Sequence, residues 1–419
     1  MEEVSVRGRA AVPVLTTAAM TASMLPLFLL GALSPALVRE FGIARPLLGV
    51  LVTAGFGVAV VLSLAIGPVV DALGPRRSIT ALFATSAVAL TVFAVAPHYV
   101  VLVLAVALGG VPQALANPST NKLIAASVEA ARRPLLLGIK QSGVQLGAFV
   151  AGLPLAWLAD SVDWRLAVGV AAGSAVVAAL GCLALPQDPA PGERSRLSAD
   201  PVSTARSPLA ADPVSTGRSP LAAHPAARPS SPAADPASVR RPAFATFLQA
   251  SGLVWRLAGF SVLLGSGIAA VNTYVALYAT EALAFSPPVA AGLVAVLGVV
   301  GIAGRIVWSR VAGRELLAGL SAAAVVAPLL LLTGVPALAW VAMVVVGACA
   351  VAANAISMVL VVAASRGPEL GRNSALVSAG FFAGFAVGPP LFGLAGYGAG
   401  WVLVAVEFAV AVVVAWRAR

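Results

Sequence analysis

Lys140 is one of only two lysines in this 419-residue chain, and it stands alone in an apolar run from Pro134 to Ala159. A charge inside such a run costs free energy unless it faces a cavity or a partner, so it marks a place where something polar is handled. Two readings are open: contact with a substrate or gate, or an ammonium that snorkels along its stem to the nearer membrane surface. Carboxamides accompany it. Gln113, Asn117 and Asn121 recur at i, i+4 and i+8, which places them on one helix face, and Gln141 and Gln145 form another. Asn272, Tyr274, Tyr278, Asn354 and Ser357 are further polar interruptions of long apolar stretches. Amides and hydroxyls bind through hydrogen bonds, either to a solute or to a neighbouring helix. For the tyrosines, anchoring near a membrane surface competes with both.

Bond-breaking chemistry has little to work with. Cys182 and Cys349 lie in apolar runs without a CxxC spacing, and two histidines, His98 and His224, make no metal cluster. A membrane enzyme acting on lipid-linked substrates would need acid/base or metal-binding groups near one face, and neither histidine is in a helix centre. No cofactor and no metal are expected. The embedded acids are Glu281, near a helix end, and Glu407.

Composition explains why the polar residues are so conspicuous. The chain is 60% hydrophobic and 10% charged, where a soluble protein carries roughly a quarter charged residues. That makes it a membrane protein. A net charge of +10 would suggest a nucleic-acid partner in a soluble chain, but here the basic groups lie outside the apolar runs and act as topology signals. No nucleic-acid partner is expected.

A helix needs about 20 apolar residues to cross the hydrocarbon. Charge-free runs give α1 within 10–38, α2 within 47–70, α3 and α4 within 78–121 with a break at Pro97-His98, α5 within 134–159 and α6 within 166–187. After the middle come α7 within 257–280, α8 within 282–304, α9 and α10 within 316–365 with a break near Gly334, and α11 and α12 within 373–416 with a break at Gly396-Tyr397-Gly398. Between the sets, residues 186–246 are rich in Pro, Ser, Ala and Arg, and ADPVSTARSPLA at 199–210 is followed by ADPVSTGRSPLA at 211–222. This predicts a disordered cytoplasmic linker between six-helix bundles at 1–185 and 247–419. For the repeat, replication slippage and a docking or phosphorylation role are alternatives. Of 26 Lys and Arg, 23 fall on one side and Arg39, Arg45 and Arg165 on the other, which puts both termini in the cytoplasm.

The halves echo each other. A shift of 237 pairs Gly110 with Gly347, Asn117 with Asn354, Gly143 with Gly380, Gly147 with Gly384 and Trp164 with Trp401 without a gap. Internal repeats of this kind characterise secondary transporters.

Between α2 and α3 the chain reads Gly67-Pro-Val-Val-Asp71-Ala-Leu-Gly74-Pro-Arg76-Arg77. This resembles the major facilitator superfamily, whose loop at this place has a glycine, an aspartate four residues on, a second glycine three further and a basic pair. An ordinary polar turn with arginines on the cytoplasmic side is the plainer reading. The resemblance implies an all-α membrane fold of twelve helices in two bundles related by a pseudo-two-fold axis. It also implies a secondary transporter working by alternating access, and a cytoplasmic latch between Asp71 and the start of α11 near Asn373. The matching stretch between α8 and α9 contains Gly304, Arg305, Arg310, Gly313 and Arg314, with Gly313 at the aspartate position, so only one latch is expected.

The glycines of α5 (Gly143, Gly147) and α11 (Gly380, Gly384, Gly388) resemble the superfamily pattern in which these helices pack across the interface between the halves. In the superfamily α4, α5, α7, α10 and α11 line a central cavity, which would put the polar residues above around a substrate. Acids are missing from α1, α4, α5, α8, α10 and α11, and Ala105 stands where the proton-linked drug exporters often have an arginine. A neutral or weakly acidic small organic solute therefore fits better than a cationic drug. Proton-linked export of a drug or secondary metabolite is the alternative, and direction is open. The expected setting is the bacterial inner membrane, with lipid around a monomer and proton coupling as an option.

Overall fold

The computed structural model describes residues 2–63, 65–129, 132–183, 250–308, 313–365 and 369–417. The segment 186–246 with its repeat, and Arg310, lie outside them. The described residues pack as one unit.

Among the described residues, eleven helices are long and apolar enough to cross a membrane. They are α1 (Val12–Ala32), α2 (Arg45–Ser63), α3 (Pro75–Ala94), α4 (Tyr99–Ser127), α5 (Leu135–Ser161), α6 (Trp164–Cys182), α7 (Gly252–Ala282), α8 (Pro287–Trp308), α9 (Arg314–Leu332), α10 (Pro336–Ala364) and a stretch Arg372–Arg417. That last stretch is two helices. Gly396 has φ 75° and ψ 176°, a conformation open to glycine and strained for other residues, so α11 ends and α12 begins there. The count becomes twelve. A short helix, Ser34–Phe41, follows α1, and another, Ile66–Leu73, follows α2.

Pseudo-symmetry is visible in the helix bounds. A shift of 237 carries Tyr99–Ser127 onto Pro336–Ala364, so α4 and α10 begin and end at matching positions. The matched glycines meet matched neighbours. A Cβ on Gly110 of α4 would strike the Gly55 carbonyl of α2, and one on Gly347 of α10 would strike the Leu297 carbonyl of α8. Close backbone approach between membrane helices needs residues without side chains, since the lipid gives no hydrophobic drive to push bulkier surfaces together.

Among the described residues, two helices carry a π turn. In α5 it spans Ala151–Leu155 and contains Pro154, which lacks the amide hydrogen that an α turn would use. In α10 it spans Val346–Ala350, where Gly347 and Ala348 abut Gly304 of α8.

The two halves meet along α1–α7, α2–α11 and α5–α8. Gly31 of α1 lies against the Asn272 carbonyl of α7, Gly49 of α2 against Pro389-Pro390 of α11, and Gly152 of α5 against Ala291 and Ala295 of α8. Phe56 of α2 packs its ring 4.6 Å from that of Phe385 on α11. The named glycine pairs do something different. Gly143 and Gly147 face Thr17, Met20, Thr21 and Phe28 of α1, while Gly380, Gly384 and Gly388 face Ala258, Val262 and Ser266 of α7. They hold each half together, and the interface between halves uses other small residues of the same helices. Glycines spaced by four mark a close contact but not which neighbour makes it.

Candidate substrate site and gates

Lys140 is 2% exposed. Its Nζ donates to Asn117 Oδ1 at 3.2 Å, Thr120 Oγ1 at 2.9 Å and Asn121 Oδ1 at 2.5 Å. An ammonium has three hydrogens to donate, so the set is filled, and each acceptor is neutral. The charge is thus solvated by α4 instead of reaching along its stem to the surface. Gln141 extends the cluster: its Nε2 lies 3.4 Å from Asn117 Oδ1, and its backbone carbonyl accepts Arg305 Nη1 from α8 at 3.2 Å. A chain of polar contacts therefore runs from α4 through α5 of the first half to α8 of the second. Arg305 Nε is buried without a partner.

Gln113 and Gln145 are 4% and 3% exposed, and the Oε1 of each lacks a partner. Gln145 lies beside Gly301 of α8, so it too belongs to the seam between halves. Asn272, 1% exposed, donates Nδ2 to the Ile268 carbonyl at 2.9 Å and leaves Oδ1 unpartnered. Buried acceptors without donors are uncommon and indicate groups that a ligand, water or another conformation satisfies. Ser357 donates to the Asn354 carbonyl at 2.7 Å, so it bonds within α10.

Both tyrosines of α7 are structural in this state. Tyr274 donates to the Arg45 carbonyl at 2.9 Å and stacks on Phe392, and Tyr278 donates to the Leu331 carbonyl at 2.6 Å beside Trp401. Thr120 is the member of the Lys140 cluster that sequence reading passed over. Threonine in a membrane helix ordinarily bonds back to its own turn, as Thr120 also does with the Ala116 carbonyl, so its type alone is silent. Its place one residue before Asn121 was the available signal.

A family model described as Major Facilitator Superfamily matches residues 15–362, most of the chain. The chain belongs to the Major Facilitator Superfamily. It is accordingly a multi-pass membrane protein, and its general activity is secondary transport of small molecules. Two crystal structures of a bacterial homolog of the human lysosomal transporter Spinster share the fold. The inward-facing unoccupied form gives a TM-score of 0.69 at 14% identity, covering 98% of this chain and 97% of that one. Its inward-facing occupied form gives 0.71 at 14%, covering 98% and 96%. Among curated proteins none matches.

The superfamily loop between α2 and α3 is built around Gly74, whose φ of 84° ends the short Ile66–Leu73 helix and starts α3. Arg76 donates Nε to the Cys182 carbonyl at 3.2 Å and Nη2 to the Leu183 carbonyl at 2.5 Å, tying α3 to the carbonyl end of α6. Arg77 is exposed. Asp71 departs from the expectation carried by the resemblance. Its carboxylate, 77% exposed, pairs with Lys122 of α4 at 2.7 Å, within its own half, and Asn373 of α11 donates to Ser365 instead. A Cβ on Gly67 would meet open space, so the close approach expected there is not made. The physical reason is conformational. A latch between halves forms only when the Asp71 loop meets the start of α11, and here Asp71 has Lys122 instead.

The halves are joined at the Arg45 end as well as through Arg305 and Gln141. Arg45, at the start of α2, gives Nε and Nη2 to Glu281 Oε2 of α7 at 3.0 and 2.7 Å. Tyr397, at the start of α12, donates to the same oxygen at 2.8 Å, and the guanidinium lies 4.3 Å over its ring. One carboxylate and one guanidinium thus clamp α2, α7 and α12. Deeper, Thr53 of α2 donates to the Ala386 carbonyl of α11 at 2.5 Å.

Proposed function

We propose that this protein moves a small organic solute, neutral or weakly acidic, across the cytoplasmic membrane by alternating access, the halves rocking about a site between them. The two halves are residues 1–185 and 247–419, joined by a cytoplasmic linker at 186–246, and the protein works as a monomer with both termini inside. In that orientation the Arg45–Glu281–Tyr397 clamp is the closed outer gate, and Asp71 lies on the cytoplasmic side.

The observation that carries the substrate class is the Lys140 cluster. A cation buried to 2% exposure and held by neutral oxygens alone keeps its field uncompensated, and a bound carboxylate would supply the missing charge. Arg305 adds a second positive group on the facing half, and Gln113, Gln145 and Asn272 offer acceptors for a solute's hydroxyl or amine hydrogens. Proton-linked export of a drug or secondary metabolite is the runner-up, and a cationic drug fits these groups poorly.

The test has two stages. Metabolites inside and outside cells with and without the gene are compared without preselection, and the compounds that differ are offered to the purified protein in proteoliposomes with and without a pH gradient. An organic acid or a neutral polyol among the transported compounds agrees with the proposal. Selective transport of organic cations overturns it.

A further inference from the structure

Glu407 lies in the middle of α12, ten residues before Arg417 and eleven after Gly396, about 15 Å of helix from either end at 1.5 Å per residue. Its Oε1 is 2.5 Å from Ser266 Oγ. Ser266 is 4% exposed and stands in the middle of α7 (Gly252–Ala282). Small residues build the seat. A Cβ on Gly388 of α11 would collide with the Ser266 carbonyl and hydroxyl, and one on Gly267 would collide with the Phe408 ring. Glu407 itself is half-buried, its carboxyl turned to Ser266 of α7, which α11 packs against at Gly388.

The charged and titratable groups of the surrounding helices sit elsewhere. On α7, Arg256 donates to the Arg417 carbonyl, Tyr274 and Tyr278 to the carbonyls of Arg45 and Leu331, and Glu281 holds Arg45 and Tyr397. Arg314 and Glu315 are the first two residues of α9, and Arg372 is in the first turn of α11. Among the described residues, Glu407 has one polar partner, a serine hydroxyl, and no cation. A carboxylate at mid-depth with no cation is expensive, whereas a carboxylic acid can share its hydrogen with that hydroxyl.

We propose that Glu407 is a proton-binding site of this transporter: its carboxyl holds a proton, shared with the Ser266 hydroxyl, while α7 and α12 are packed as here, and exchanges it with water. The proton moves between a carboxylate oxygen and water, and no other bond changes. The proposal rests on the membrane-spanning fold and not on the substrate reading, so either can fail alone.

The experiment uses the full chain in liposomes and the apolar carbodiimide N,N′-dicyclohexylcarbodiimide, which adds to protonated carboxyls in apolar surroundings. Peptide mass spectrometry should find the adduct on Glu407, with a yield that falls about tenfold per pH unit above a midpoint. Infrared spectra should show a protonated-carboxyl C=O band that is lost on raising the pH and missing in Glu407→Gln. A Glu407 peptide that is detected but unmodified at every pH overturns the proposal, as does labelling that ignores pH. The labelling arm needs no variant, so a poorly folding Glu407→Gln does not blunt it.

Discussion

The clamp at the Arg45 end permits a quantitative test of how the closed gate is held. Glu281→Gln keeps the size and one acceptor oxygen of the side chain but removes its charge. The Arg45 and Glu281 side chains are 44% and 33% exposed, so the ion pair contributes about 0.2–1 kcal/mol. The 2.8 Å bond from Tyr397 also weakens from a charge-assisted one to a neutral one, by about 1 kcal/mol. The contact of Arg45 with the Tyr397 ring survives. Closed states at this end should therefore lose about 1–2 kcal/mol, a population shift of about 5- to 30-fold. Spin labels on cysteines placed at Ala44 and Gly398, exposed positions beside the clamp, would read it by pulsed electron paramagnetic resonance. The background lacks Cys182 and Cys349. The long-distance population should rise in Glu281→Gln and in Arg45→Gln, and the double variant should add little to either, since both break one contact. Unchanged distance distributions in both single variants would refute the assignment.

Three further outcomes follow from the packing and the polar cluster. Gly384→Val drives a side chain into the Val262 carbonyl and Ser266 amide of α7, and should destabilise by about 1–3 kcal/mol, read as a lower melting temperature in detergent. Gly57→Ala, which points into open space, should leave that temperature nearly unchanged, and equal effects would contradict the packing argument. Lys140→Met strips the donors from Asn117, Thr120 and Asn121, so melting should fall by the equivalent of about 1–3 kcal/mol and uptake of an acidic solute should be lost. Transport at the original rate would remove Lys140 from the site. Asp71→Asn should alter the balance of inward and outward states while sparing binding, measured by proteoliposome transport and by labelling of cytoplasmic-side cysteine probes; no change in either would dispose of the latch.

Span number was legible because hydrocarbon is unforgiving of charge: interruptions such as Pro97-His98 and Gly396-Tyr397-Gly398 fall where the structure turns or kinks. The echo at a shift of 237 was legible chiefly through Asn117 and Trp164, residue types that are scarce in this chain. Pairing was less legible. Nothing local to Gly143 says that Thr17 lies opposite, or that Asp71 meets Lys122, because partner choice within a half depends on how its helices pack around one another. The reach of Arg305 across to α5 was hidden for a related reason: in sequence it opens a loop, and in space it ends a helix that crosses the seam.

Symmetry of backbone and asymmetry of chemistry coexist in this fold. At the shift of 237, Lys140 corresponds to Val377, Asn121 to Met358, Gln113 to Ala350 and Gln145 to Phe382. The second half repeats the helices and keeps Asn354 and Ser357 at the places of Asn117 and Thr120, but it has no counterpart of Lys140, and Phe382, at the place of Gln145, packs against Phe56. An ammonium solvated by α4 stays with the first half however the halves move, because its three acceptors are on the helix next to its own. Arg305 is different: its bond to Gln141 crosses the seam and must break or lengthen when α5 and α8 separate. Under the proposed function, a solute bound by Lys140 travels with the first half while Arg305 engages it in one state and leaves it in another. Differential contact of this kind is what lets a bound solute bias the equilibrium between states. Arg305→Gln should therefore alter the rate of state exchange in the presence of solute more than it alters binding, whereas Lys140→Met should do the reverse; equal effects of the two variants on affinity would remove the distinction.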